Sequence, residues 1–107
     1  MGTPNQPSQA IPTYSAPGAG GNTNVTRGIT TTTLIKSGAG AVVKAIVTVA
    51  GSGAGAIYDC TATAAAVTAN EVASLPTTLG PIDIEFPCVT GIFVVPGSGQ
   101  QIAISWQ

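Results

Sequence analysis

Histidine is absent from the chain, which removes the side chain that most often serves as general base or metal ligand near neutral pH. Serine nucleophiles are left without an imidazole, and neither Lys36 nor Lys44 stands in a Ser-x-x-Lys context. Charge is almost as scarce: three Lys or Arg and four Asp or Glu, 7% of 107 residues, against about 25% in ordinary globular domains. Three scattered cations cannot neutralise a phosphate track, so direct nucleic-acid binding is not expected. No apolar run reaches the roughly 18 residues that a membrane span needs, and residues 1–17 lack the basic start and apolar centre of a signal peptide. The expectation is a protein made in the cytoplasm, with no membrane contact. Two cysteines without histidine are too few for a zinc site, and no cofactor and no enzymatic activity are expected.

A lone domain in water relies on charge to stay dispersed, so a chain this weakly charged and this rich in Gly, Ala and Thr is expected to pack against neighbours. Residues 1–24 carry Pro4, Pro7, Pro12 and Pro17, then Gly18, Gly20 and Gly21, with no charged side chain and only Ile11 and Tyr14 as sizeable apolar groups. Such a segment cannot build a core and is expected to be an extended arm. Holding it in one conformation costs about 1–2 kcal/mol per residue, and a partner subunit is the natural source of compensation. The Asn24-Val-Thr26 sequon, without a signal peptide, reads as accidental.

Residues 25–107 have the texture of one β domain. Residues 29–35 are rich in β-branched side chains and read as a strand. Residues 36–40 then turn into a long strand over 41–49, with its odd positions facing a core. The glycine-dense segment 51–55 lacks both the Gly-x-Gly-x-x-Gly spacing and the Gly-Lys-Ser/Thr ending of phosphate cradles, and a strand follows it at 56–60, so it reads as a hairpin loop. Residues 61–68 are of ambiguous type, and 69–75 read as strand or irregular. In residues 80–97, Ile82, Ile84 and Phe86 alternate with Asp83 and Glu85, then Pro87 and Gly91 break the run and 92–95 resume it: two strands and a corner. Ile102, Ile104 and Trp106 give the last strand its dry face. Seven or eight short strands at about ten-residue spacing, separated by Gly/Pro turns, are the signature of an all-β sandwich or barrel, and a small antiparallel β-sandwich is expected. Its expected core is Leu34, Val43, Val47, Val49, Ile57, Ile82, Ile84, Phe86, Ile92, Val94, Ile102, Ile104 and Trp106.

Few residues invite a chemical reading. Cys60 and Cys88 have three states open to them: free buried thiols, an intrachain disulfide, or a bond between subunits. Asp83 and Glu85 share one strand face at a separation reminiscent of glycosidase carboxylates, but are expected to project into solvent without the apolar pocket that raises a carboxyl pKa. Asp59 and Glu71 read as turn or surface groups.

Several stretches together carry a resemblance. They are Ile29-Thr-Thr-Thr-Thr-Leu-Ile-Lys-Ser, Gly53-Ala-Gly-Ala-Ile-Tyr-Asp, Leu75-Pro, Phe86-Pro followed by Gly91, and Val95-Pro-Gly-Ser-Gly-Gln. In this order they resemble small structural proteins of tailed bacteriophages, of the capsid decoration (cement) or head-fibre type, over residues 25–107. The resemblance implies a jelly-roll or related sandwich fold. It also implies a place on the capsid surface of the virion, the major capsid protein as partner, and homotrimers that hold neighbouring capsomers together. Cys60 and Cys88 fall where that pattern would have small or aromatic residues, and the arm lies outside the resemblance.

Overall fold

The computed structural model describes residues 23–107. The arm residues Pro4, Pro7, Ile11, Pro12, Tyr14 and Pro17 lie outside the described residues. Eight strands follow in order: β1 (Asn24–Ile29), β2 (Thr33–Ser37), β3 (Gly40–Val49), β4 (Gly55–Tyr58), β5 (Glu71–Leu75), β6 (Gly80–Cys88), β7 (Gly91–Val95) and β8 (Gln101–Trp106). Two single-turn 3-10 helices, Thr63–Ala65 and Thr68–Asn70, occupy the long β4–β5 connection.

The strands form two four-stranded sheets, ordered β1-β8-β3-β6 and β2-β7-β4-β5, and every pairing is antiparallel. β1 pairs with β8, β2 with β7, β3 with β6 and β4 with β5. The first half of the chain therefore runs alongside the second half as a folded ribbon whose strand pairs alternate between the two sheets. That is the jelly roll, an eight-stranded double Greek key. Only the β4–β5 connection stays within one sheet, and every other connection crosses between them.

The crossings change several sequence expectations. Residues 29–35 are not one strand: β1 ends at Ile29, β2 begins at Thr33, and the two lie in different sheets. The glycine-dense segment 51–55 is not a hairpin loop, because it carries the chain from β3 in one sheet to β4 in the other. Its glycines answer a close approach instead: a Cβ on Gly97 would collide with the Gly53 backbone, and one on Gly55 would lie 2.6 Å from both the Gln100 amide oxygen and the Val95 carbonyl. The corner in residues 80–97 is likewise a sheet crossing, with Pro87 inside β6 and the break at Val89 and Thr90.

The core lies between the sheets and is built on Ile57, Leu75, Ile92, Val94, Ile102 and Ile104, with Val42, Ala45, Val47, Ile29 and Cys88. Ile35, Val72, Ile82, Ile84 and Trp106 pack against it while half-buried. Three residues expected inside are exposed: Leu34 at 43%, Val49 at 46% and Phe86 at 51%. Leu34 sits on the edge strand β2 beside a bulge, between Leu34 and Lys36, that interrupts the alternation. Val49 is the last residue of β3, where the chain leaves for the other sheet. Phe86 is on the edge strand β6 next to another irregularity, where two residues of β6, Ile84 and Glu85, oppose Val43 alone. On the β8 side, Val43 is in turn the extra residue of β3. The odd positions of β3 thus do not all face the core: Val42 joins it, while Val43, though buried, stays outside.

Candidate functional site

The charged groups are distributed in a way that assigns most of them structural work. Asp59, expected to be a turn group, follows β4 and takes three backbone N–H groups from the far side of a sheet crossing. One carboxylate oxygen accepts from Thr90 at 2.7 Å and Gly91 at 3.1 Å, and the other accepts from Val89 at 2.9 Å. Burial pushes its pKa up, but these three donors outweigh that and hold the carboxyl below its ordinary value. The partners lie about thirty residues away in sequence, so no local pattern announces the contact.

Cys60 and Cys88 flank this carboxylate clamp, and both are buried free thiols. The Cys60 Sγ donates to the Ala62 carbonyl at 3.5 Å. Burial, and after it the negative charge of Asp59, raises the Cys88 pKa to about 11, so this thiol is protonated and a poor nucleophile near neutral pH.

Gln100 is a buried polar group that nothing in the sequence singled out. Its amide oxygen accepts from the Gly97 N–H at 3.0 Å and its amide nitrogen donates to the Pro76 carbonyl at 2.7 Å, tying the β7–β8 connection to the end of β5. At the other end of the sandwich the Trp106 indole N–H donates to the Thr26 hydroxyl at 3.1 Å. Asp83 is exposed and pairs with Lys44 at 3.3 Å. Glu85 is exposed too, and it has φ 47°, the only non-glycine residue with positive φ among the described residues. No group of three His, Cys, Asp or Glu side chains close enough to hold a metal ion occurs among the described residues.

What remains is surface. The β1-β8-β3-β6 sheet has one face on the core and one turned outward with nothing laid across it by the other sheet. Two shallow depressions mark that outer face. One, of about 250 Å³, is lined by Ala41, Val43, Glu85, Pro87 and Gln107 along β3, β6 and the chain end. The other, of about 170 Å³, is lined by Val25, Arg27, Lys44, Ile46, Ala103 and Ser105. Both are mostly apolar, with Glu85 the charged lining residue of the first and Arg27 and Lys44 those of the second. Val25 is 55% exposed and Ile46 39%, on a face that an isolated sandwich would make polar. Further apolar side chains, Val67, Leu79 and Val89, stand exposed elsewhere on the molecule. This arrangement offers contact area.

No helix among the described residues is long and apolar enough to cross a membrane. No family model matches the chain, and neither a curated protein nor a solved structure is similar to it.

Proposed function

We propose that the protein is a virion structural protein of the capsid decoration, or cement, type, which binds the outer capsid surface and stabilises contacts between capsomers. The observation that supports this reading best is the surface: a jelly-roll sandwich with almost no charge and an outer sheet face bearing exposed Val25 and Ile46. Apolar area of this sort stabilises a molecule only when covered by a neighbour. In this reading the sandwich spans a junction between copies of the major capsid protein, itself assembled in trimers, and residues 1–24 lie along neighbouring subunits. Stabilisation comes from added interface area that resists the outward pressure of packaged nucleic acid, with no chemical step.

Co-sedimentation with capsids tests it. The full chain is expected to pellet with capsids, and a chain lacking residues 1–24 is expected to fold and stay in the supernatant. Failure of the full chain to bind removes the decoration reading, and undiminished binding of the truncated chain removes the role of the arm.

One observation favours a second reading, a receptor- or glycan-binding module of a tail or head fibre: Phe86, 51% exposed on an edge strand, is an aromatic face open to stacking on a sugar. A glycan array on the isolated protein decides this. A micromolar ligand whose binding disappears in Phe86→Ala supports the module, and a blank array removes it.

A further inference from the structure

The outer face of the β1-β8-β3-β6 sheet carries four of the charged side chains, Arg27, Lys44, Asp83 and Glu85. Lys44 and Asp83 neutralise each other across β3 and β6. Arg27 and Glu85 are left, and neither has an ion-pair partner among the described residues. They stand on opposite edge strands, Arg27 on β1 at the rim of one apolar depression and Glu85 on β6 at the rim of the other. The face is thus positive at one edge and negative at the other, and between them lie the neutralised Lys44–Asp83 pair and mostly small or apolar side chains such as Val25, Ile46 and Ala103.

We infer that this face is a self-complementary contact for a second copy of the same chain. A two-fold axis lying in the plane of the contact, between the two depressions, lays the Arg27 edge of each copy over the Glu85 edge of the other. A surface that pairs with itself must be complementary about such an axis, and one cation and one anion on opposite edges satisfy that twice per dimer. Pairing through the β6 edge is disfavoured, because Pro81 and Pro87 interrupt its donors. The contact inferred is face to face through side chains.

The backbone conformation of Glu85 is a second indication. At φ 47° a carboxylate-bearing residue occupies a region that glycine would take without strain, and such outliers concentrate where a side chain has work besides folding. The size of the face sets the strength. Four strands by about six residues make a patch about 20 Å by 20 Å, or about 400 Å² on each partner. A standard stable interface covers about 800 Å² per partner. Association through this face alone is accordingly weak and concentration-dependent. The inference does not rest on the capsid reading or on any three-fold contact, because it concerns only the association step that responds to residues 27 and 85.

Sedimentation velocity on the full chain and its charge variants tests it, with folding of each variant checked by Trp106 fluorescence. The wild-type chain is expected to show reversible association as concentration rises toward about 1 mM. Arg27→Glu and Glu85→Arg are each expected to weaken it about tenfold or more, since each change turns both ion pairs of the dimer into repulsions. An equimolar mixture of the two variants is expected to regain it as a species of twice the mass that each shows alone, and the chain carrying both changes is expected to regain it too. The inference is overturned by absence of association up to that concentration, by association that the single changes leave unaltered, or by failure of the mixture to associate. It is also overturned if only a chain lacking residues 1–22 associates, since the arm would then be what covers the face.

Discussion

At the scale of single residues, Asp59 matters more than its position in a loop suggests. Its carboxylate satisfies three backbone donors at the β6–β7 crossing, and hydrogen bonds to a charged group contribute about 1.5–3 kcal/mol when well shielded. Asp59 is only half-buried, so Asp59→Asn is expected to cost about 1–2 kcal/mol in chemical denaturation. Because the folded-state pKa lies below the ordinary value, the clamp stabilises fully above the unfolded pKa of about 3.9. That contribution is lost as pH falls through the lower folded value. Stability of the wild type measured from pH 6 to pH 2 should therefore fall more steeply than that of Asp59→Asn, and parallel curves would show that the clamp is energetically idle. The same substitution removes the second cause of the raised Cys88 pKa, so thiol titration should find Cys88 shifted downward.

Glu85 offers the converse test. A non-glycine residue held at positive φ costs about 1–2 kcal/mol, whereas glycine in an ordinary strand position costs about 0.5–1 kcal/mol. Glu85→Gly is expected to raise the melting temperature or leave it unchanged, while Asp83→Gly, two positions earlier on the same strand, lowers it. A fall at both positions would mean that the Glu85 backbone carries no strain.

At the scale of the element, the question is which apolar positions each strand turns inward. Leu75 ends β5 with no exposure, while Leu34 on the edge strand β2 is 43% exposed. Leu75→Ala should cost about 2–5 kcal/mol and Leu34→Ala under about 1 kcal/mol, both read from urea denaturation midpoints. Equal costs would mean that Leu34 is covered in solution. The bulges explain why period-two reading misses such positions. A strand that gains one residue against its neighbour reverses the side on which every later side chain falls. Val43 is such an extra residue of β3 against β8, and on the other side Ile84 and Glu85 of β6 together oppose Val43.

At the scale of the whole molecule, the sparseness of charge shapes the surface. With Lys44 and Asp83 paired, the outer sheet face is left with one charge at each edge. An association steered by such exposed charges weakens as salt shortens the Debye length from about 10 Å at 0.1 M to about 3 Å at 1 M. The apolar contacts of the face, Val25 and Ile46 among them, do not weaken with it. Raising the salt in the sedimentation series should therefore reduce the difference between wild type and the charge variants without abolishing wild-type association.

Much of this protein is determined by the sequence alone. The alternation in β6 and β8 and the Gly/Pro turns at regular spacing point to an all-β domain of short strands, sandwich or barrel, and the two-sheet order is decided by the tertiary structure. The inward positions Val47, Ile57, Ile92, Val94, Ile102 and Ile104 follow from the same local patterns. These are local properties, since alternation and turn chemistry act over a few residues. The tertiary structure decided what depends on distant partners. It set which strands share a sheet, so that residues 29–35 and the glycine-dense 51–55 became crossings and not a strand and a hairpin. It set which strands lie at sheet edges and where bulges interrupt the alternation, which left Phe86 and Leu34 exposed and put Val42 inside. It brought Asp59 to backbone donors some thirty residues away, and it placed Arg27 and Glu85, 58 positions apart in the chain, on opposite edges of one open face. Neither arrangement has a sequence signature, because sheet order is set by the packing of the whole ribbon and not by any segment of it.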